Sequence, residues 1–243
     1  MTATDVPLLQ ADTLTPAALR ATGDRAVAWA EAAGGTAVRE PGLVLADALS
    51  PCLFLNVAVA EGPPDVERIA AFFPPGRPFL LVSAAPTVDL TPGGLMLMGH
   101  PPFMVRAAAD GVVAPPPGVT VEEVTEPASL EEWDRVLADG YPAPHSPAPP
   151  ALLGGPTRFW LARLDGRPVA AALSHTAHDV VSVEAVATLP DARGRGIGTA
   201  VTHAATVADP AAPAVLIASD AGVGVYRRLG YLPVTRWTLW FRP

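Results

Sequence analysis

Between Val183 and Thr199 the chain runs Val183-Glu184-Ala185-Val186-Ala187-Thr188-Leu189-Pro190-Asp191-Ala192-Arg193-Gly194-Arg195-Gly196-Ile197-Gly198-Thr199. Three glycines in five residues, Gly194, Gly196 and Gly198, follow a strand-like run and lead straight into a helical pattern. Such a turn can aim successive backbone N–H groups at one point, and the helix N-terminus adds partial positive charge, so the chemistry on offer is anion binding. Glycine lets a phosphate approach with no Cβ in the way. The competing phosphate motifs can be separated. A dinucleotide fingerprint is G-x-G-x-x-G after the first strand of a βαβ unit, whereas here the spacing is G-x-G-x-G and lies deep in the chain. A P-loop needs its lysine, and all 16 basic residues are arginine. A basic surface turn with no ligand is the plain alternative.

The elements that would hold this turn can be read around it. Asp165-Gly166 and His178-Asp179 mark turns between apolar stretches at 158–164, 168–176 and 180–187, which predicts a three-stranded antiparallel meander paired in sequence order. A strand over 119–124 and a helix over 129–139, with Ser129 as N-cap, precede it. After the glycines come a helix over 199–208, a short buried strand at 214–218, a helix over 222–229 closed by Gly230, and a final strand region at 232–241. Pro115-Pro116-Pro117-Gly118 favours an extended spacer and sets a boundary between 1–114 and 119–243, and 142–156 is expected to be a long proline-rich loop. In the first half, helices are expected at 16–33 and 65–73, and strands at 43–46, 53–59 and 79–82. Phe79-Leu80-Leu81-Val82-Ser83 with Met98-Gly99-His100 echoes Val215-Leu216-Ile217-Ala218-Ser219 with Leu229-Gly230-Tyr231, which raises the question of a divergent duplication.

Composition narrows the function classes. The 243 residues are 50% hydrophobic and 16% charged, a balance that folds. A formal charge of −8 repels nucleic-acid phosphates. The absence of lysine excludes a Schiff base or pyridoxal anchor. One cysteine, Cys52, sits in an apolar run, is expected to be buried, and can form neither an intrachain disulfide nor a cysteine metal cluster. No apolar run approaches about 20 residues, so a soluble cytoplasmic protein that binds neither membrane nor nucleic acid is expected.

Arg193-Gly194-Arg195-Gly196-Ile197-Gly198 satisfies a signature of Gln or Arg, two residues, Gly, one residue, then Gly or Ala, and in this the sequence resembles the GCN5-related N-acetyltransferase (GNAT) family. The likeness covers about 119–243. It extends upstream through the strand end before Pro190 and downstream through 215–218 to Tyr226 and Leu229-Gly230-Tyr231. It implies an α/β fold with a mixed sheet, the GNAT acyl-CoA N-acyltransferase fold in the C-terminal half, beside a smaller divergent α/β domain that could itself be a degenerate GNAT-like half. It also implies acetyl transfer from acetyl-CoA to a primary amine by direct attack, with no metal. The amides of Arg195 to Thr199 would hold the pyrophosphate, with Arg193 at the head of the signature. Val186 and Ala187 would lie on a strand that splays from its neighbour and pairs with the pantetheine arm.

The same resemblance assigns Tyr226 as the general acid for the departing thiolate. Glu184 is the candidate base; strict alternation places Ser182, Glu184 and Val186 on one face. Ser219 would touch the pantetheine or cap the following helix, and Tyr231 would be structural. His175 and His178 flank a turn and are expected at the surface, whereas His145 would lie near the acceptor opening. The acceptor would be a small-molecule or peptide amine. In the first half, Glu61-Gly62-Pro63-Pro64-Asp65 stands where a phosphate turn would be, yet its prolines lack N–H donors, so no coenzyme site is expected there. That half could wall the acceptor cleft, form a homodimer surface or complete the fold. A non-catalytic acyl-CoA-binding or sensing protein is the alternative function.

Overall fold

The computed structural model describes residues 13–108, 111, 113–141, 144 and 146–243. An Ala-rich stretch of high helix propensity forms α1 (Leu14–Ala32), whose buried face carries Ala18, Ala21, Arg25 and Trp29 at helical spacing. It is followed by β1 (Thr36–Glu40), β2 (Leu43–Asp47), β3 (Val57–Ala60), α2 (Val66–Phe72), β4 (Phe79–Ser83), β5 (Met96–Gly99) and β6 (Pro102–Arg106). Beyond the proline run lie β7 (Val119–Val124), α3 (Pro127–Gly140), β8 (Thr157–Leu164), β9 (Arg167–Ala177), β10 (Val180–Thr188), α4 (Ile197–Thr206), β11 (Ala214–Ile217), α5 (Val223–Arg228), β12 (Leu232–Arg236) and β13 (Thr238–Arg242).

Two mixed sheets result, ordered β1-β2-β3-β4-β13-β5 and β12-β6-β11-β10-β9-β8-β7. They follow one scheme. In each, a strand runs parallel to its neighbour, β3 to β4 and β10 to β11, while the other pairs are antiparallel. Each segment also gives its last strand to the other sheet: β6 enters between β11 and β12, and β13 between β4 and β5. Trp237 is the single residue between β12 and β13, so the strand region expected at 232–241 divides there into strands of different sheets.

The core explains the layering. α1 packs on β2 and β3 of one sheet and on β9 and β10 of the other. Its Ala26, Val27 and Trp29 join Val57 and Val82 from one sheet and Phe159, Leu173 and Val215 from the other in a single cluster. Burying each of these large side chains contributes about 1.5–3 kcal/mol, and the two inner sheet faces share that gain. α4 covers the outer face of the second sheet and α2 the outer face of the first.

Several local expectations shift. Residues 53–59 are not one strand: Leu53–Leu55 is a 3₁₀ turn, and the Asn56 side chain donates to Ser50 O and Pro78 O while accepting from Ala48 N, which ends regular pairing there. Helix α3 starts at Pro127 with Glu126 as N-cap in place of Ser129, because proline suits the first helical turn. α4 begins at Ile197, two residues ahead of the expected start, inside the glycine turn. β1, β5 and β6 are additional strands. The echo between the halves is real for β4 and β11 but misaligned afterwards. Gly94 at φ 78 before buried Leu95 and β5 occupies the place of Gly230 at φ 87 before buried Tyr231 and β12, so Gly99 is not its counterpart.

Candidate active site

The site is built where β10 leaves its neighbour. β10 and β11 register only at Val181↔Ala214 and Ser182↔Val215, and from Val183 to Thr188 the β11-side edge of β10 has no strand partner among the described residues. A bulge at Ala185 accentuates the parting: Ala185 sits at φ 52 and the pairing with β9 shifts between Glu184 and Ala187. The bulge also breaks strict alternation. Val186 packs with Val181 and Val183 on the α4 side, whereas Ala185 joins the face towards α1 and α3, so Glu184 and Val186 do not share a face.

Past β10, the glycine turn enters α4 directly. Gly194 and Gly196 adopt φ 75 and 79, conformations that favour glycine. Gly198 lies so close to the strand end that a Cβ would stand 3.0 Å from Thr188 Oγ1. Gly196 is the N-cap and no side chain caps the helix. Among the described residues, no acceptor takes the amide hydrogens of Gly194, Arg195, Gly196, Ile197, Gly198 or Thr199. Successive free donors at a positive helix end form a cradle for an anion. Arg193 is committed elsewhere, donating from Nε to Thr188 O at 2.9 Å and from Nη2 to Gly140 O at 3.1 Å, which pins the turn to β10 and α3. Arg195 is exposed.

On the other side of the opening stands α5. The Tyr226 ring rests against Gly222, where a Cβ would come within 2.7 Å of Cε2. Burial, and then the nearby Tyr141, push the Tyr226 phenol up to about 12, so it keeps its proton. Ser219 Oγ accepts the Gly222 N–H at 3.3 Å, which braces the turn into α5. Tyr231 is buried, shares a 2.8 Å hydrogen bond with Thr206 and has its phenol raised by burial, a packing role.

A cavity of about 220 Å³ brings together Glu184, Val186, Ser219 and Tyr226 with Arg25 and Tyr141. Glu184 Oε2 lies 2.8 Å from Arg25 Nε, out of line for a hydrogen bond, so the contact is an ion pair with a buried guanidinium. Arg25 and Tyr141 were missed by sequence reasoning. For Arg25 the signal was present, as a lone charge on the apolar stripe of α1. Ala187 is buried and pairs with Ala171.

Elsewhere, Cys52 is buried and burial raises its thiol. His175 is not at the surface: it is 1% exposed and holds Thr157 Oγ1 at 2.8 Å, because its ring turns inward beneath α1. His178 is exposed and pairs with Asp24 at 2.9 Å. His145 lies outside the described residues. Among the described residues no group of His, Cys, Asp and Glu could hold a metal ion, and no helix is long and apolar enough to cross a membrane.

The acetyltransferase (GNAT) domain family model matches residues 155–233, the span that contains the meander, the glycine turn and Tyr226. These residues form a GNAT acetyltransferase domain. A GCN5-related N-acetyltransferase from Kribbella flavida is 27% identical, with 91% of this chain and 95% of that one aligned at a TM-score of 0.63. Two further structures support the fold alone. A GNAT-family acetyltransferase from Novosphingobium aromaticivorans DSM 12444 is 19% identical, covering 84% and 89% at 0.60. A conserved protein of unknown function from Staphylococcus epidermidis ATCC 12228 is 14% identical, covering 86% and 94% at 0.61. No curated protein matches the chain. The GNAT likeness to the Kribbella protein spans both sheets, and the family's chemistry is acyl transfer from acyl-CoA.

Proposed function

We propose that the protein is an N-acetyltransferase that moves acetyl from acetyl-CoA to a primary amine by direct attack. The observation that carries this is the run of unaccepted amides from Gly194 to Thr199 at an uncapped helix end, beside the parted strands β10 and β11. Those amides fit a diphosphate, with Arg195 beside them, and the free edge of β10 at Val186 and Ala187 fits an amide-bearing arm. Acetyl-CoA supplies the activated thioester carbonyl and the thiol that leaves.

The chain's own groups do the rest. Glu184 attracts the ammonium of the acceptor and takes its excess proton, directly or through water, so that the neutral amine attacks. Tyr226 Oη holds the proton that the departing sulfur requires, and burial keeps it there at neutral pH. The amide forms as the C–S bond breaks, and the second proton that the nitrogen sheds on becoming an amide replaces, through water, the one that Tyr226 gives to the sulfur. Holding both reactants in one cavity supplies much of the acceleration. A non-catalytic acyl-CoA-binding protein is the second reading, favoured by the engagement of Glu184 with Arg25. Calorimetric titration with acetyl-CoA, followed by thiol release across a panel of amines, tests both. Binding with amine-dependent thiol release supports the enzyme, binding without release supports the sensor, and no heat at millimolar ligand overturns both.

A further inference from the structure

Next to the Tyr226 cavity lies a larger one of about 590 Å³, bordered by β3 and β4 of one sheet and by β10 and β11 of the other. This size suits a small molecule. The two cavities share Phe54, Tyr141, Glu184, Ala185 and Ile217 on their borders, so they are contiguous. Phe54, Ala185 and Ile217 are half-buried and Met98 is exposed, so each presents apolar surface to the space. Tyr141 stands edge-on to Phe54, with ring centroids 5.9 Å apart. The polar groups on the border are distributed differently. His100, Ser219, Asp220 and Arg236 are exposed and form a rim. The Thr22 hydroxyl donates to Ala18 O at 2.9 Å, and Ser182 Oγ and Trp237 Nε1 are closed off beneath the surface. The Arg25 side chain is only 6% exposed, whereas Glu184, which it meets at 2.8 Å, keeps 31% of its side chain exposed. Among the described residues, Glu184 is therefore the one charged group between the exposed rim and the buried wall, and it stands where the two cavities meet. An ionised carboxylate accepts hydrogens from an ammonium. A second charge carried deeper would find no partner among apolar side chains, and burying it unpaired is costly.

Resting on the transferase reading, we propose that this cavity holds the acceptor, and that the acceptor is a primary amine with a single charge and an apolar body, as an alkylamine is. The ammonium pairs with Glu184 on the side of Tyr226, and the body extends between the sheets against Phe54, Met98 and Ile217. The alkylammonium and acetyl-CoA then give the N-alkylacetamide, the coenzyme thiol and one proton. Both segments build this site, Phe54 and Met98 coming from the first and Glu184, Ala185 and Ile217 from the second.

The test is calorimetric titration of the full chain, alone and saturated with coenzyme A, with ethylamine, butylamine, hexylamine, hexanol, 6-aminohexanoate and hexamethylenediamine. Affinity is expected to rise about two- to fourfold with each methylene from ethylamine to hexylamine, the upper figure being that of a fully buried methylene. Hexylamine is expected to bind at least about tenfold more tightly than hexanol, which lacks the ammonium. The same margin is expected over 6-aminohexanoate and hexamethylenediamine, each of which brings an unpaired charge into the apolar space. Phe54→Ala should weaken hexylamine by about fivefold and leave ethylamine within about twofold. Met98→Ser, at an exposed position, guards against loss of the fold in that variant and should weaken hexylamine by about threefold. Affinity that does not rise with chain length, equal or tighter binding of 6-aminohexanoate or of the diamine, or no binding of hexylamine at millimolar concentration in either state would overturn the proposal. Titration with acetyl-CoA runs in parallel. If it binds and turnover favours ethylamine over hexylamine, the acceptor class falls and the transferase stands. If it does not bind while the alkylamine series holds, the transferase falls and the ligand class stands.

Discussion

Where each sheet places a strand beside its parallel neighbour, the two segments part company. β3 and β4 pair at every residue from Val57↔Leu80 to Ala60↔Ser83, whereas β10 and β11 separate after Ser182↔Val215. Beyond the closed seam come Pro63 and Pro64, which have no N–H, and then Asp65, whose carboxylate accepts the Arg68 N–H at 2.9 Å. Beyond the open one come glycines with free amides and a helix end that no side chain caps. One helix terminus satisfies itself with a carboxylate, while at the other no side chain accepts the first amides. The topology is common to both, so the diphosphate site proposed for the second segment rests on strand length, turn donors and one missing cap.

That contrast can be broken by giving the second segment the first segment's cap. Gly196→Asp places a carboxylate where Asp65 stands in the other half. Acetyl-CoA affinity should fall on the order of 100-fold, through lost charge-assisted hydrogen bonds and repulsion at the helix end. Gly196→Asn has the same shape and tolerates positive φ, so it should lose much less. Calorimetry on the pair separates charge from backbone strain, and equal losses would show that strain alone was responsible.

The catalytic side sharpens the comparison, because the place of α5 in the first segment is taken by a 3₁₀ turn, Thr91–Gly93, with no tyrosine. Tyr226→Phe should lower kcat by about 100-fold and leave acetyl-CoA binding intact. A phenol raised to about 12 stays protonated across the usual assay range, so it should contribute no alkaline fall in rate below about pH 11. Such a fall, lost in Tyr226→Phe, would show that the phenol titrates far lower. A smaller loss is expected from Gly222→Ala, whose Cβ would stand 2.7 Å from the Tyr226 ring. Displacing the ring should cost about tenfold in kcat and about 1–3 kcal/mol of stability, as overpacking does. Unchanged turnover would mean that the position of Tyr226 is unimportant.

The parts of the site that were legible in the sequence are those set by near neighbours. The glycine turn, the meander and its two turns, and the placement of Tyr226 on a short helix all follow from φ preferences and apolar periodicity within a few residues. The illegible parts depend on distant pairing. Nothing local tells Pro102–Arg106 to lie between β11 and β12, or tells Thr238–Arg242 to cross after Trp237. Arg25 meets Glu184 only because α1 packs against β10, far along the chain. The bulge at Ala185, an alanine held at φ 52, defeated the alternation rule because it follows from the mismatch with β9 and not from any glycine.

The last effect concerns stability alone, and it too separates the halves, since the inner face of the second sheet buries a histidine and that of the first does not. Burial, and then the charge of Arg25, lower His175 from 6.5 to about 4. The unfolded chain therefore takes up a proton at higher pH than the folded one. Between about pH 6.5 and 4 the unfolded state binds more protons, so stability should be complete above that window and fall as pH drops through it, by up to about 3 kcal/mol. Urea midpoints at pH 7, 5.5 and 4.5 measure the slope. His175→Gln removes the titrating ring and retains a polar contact for Thr157, so its midpoints should fall less steeply while the offset at pH 7 shows the cost of substitution. Parallel slopes for the two proteins would assign the acid sensitivity to the carboxylates instead.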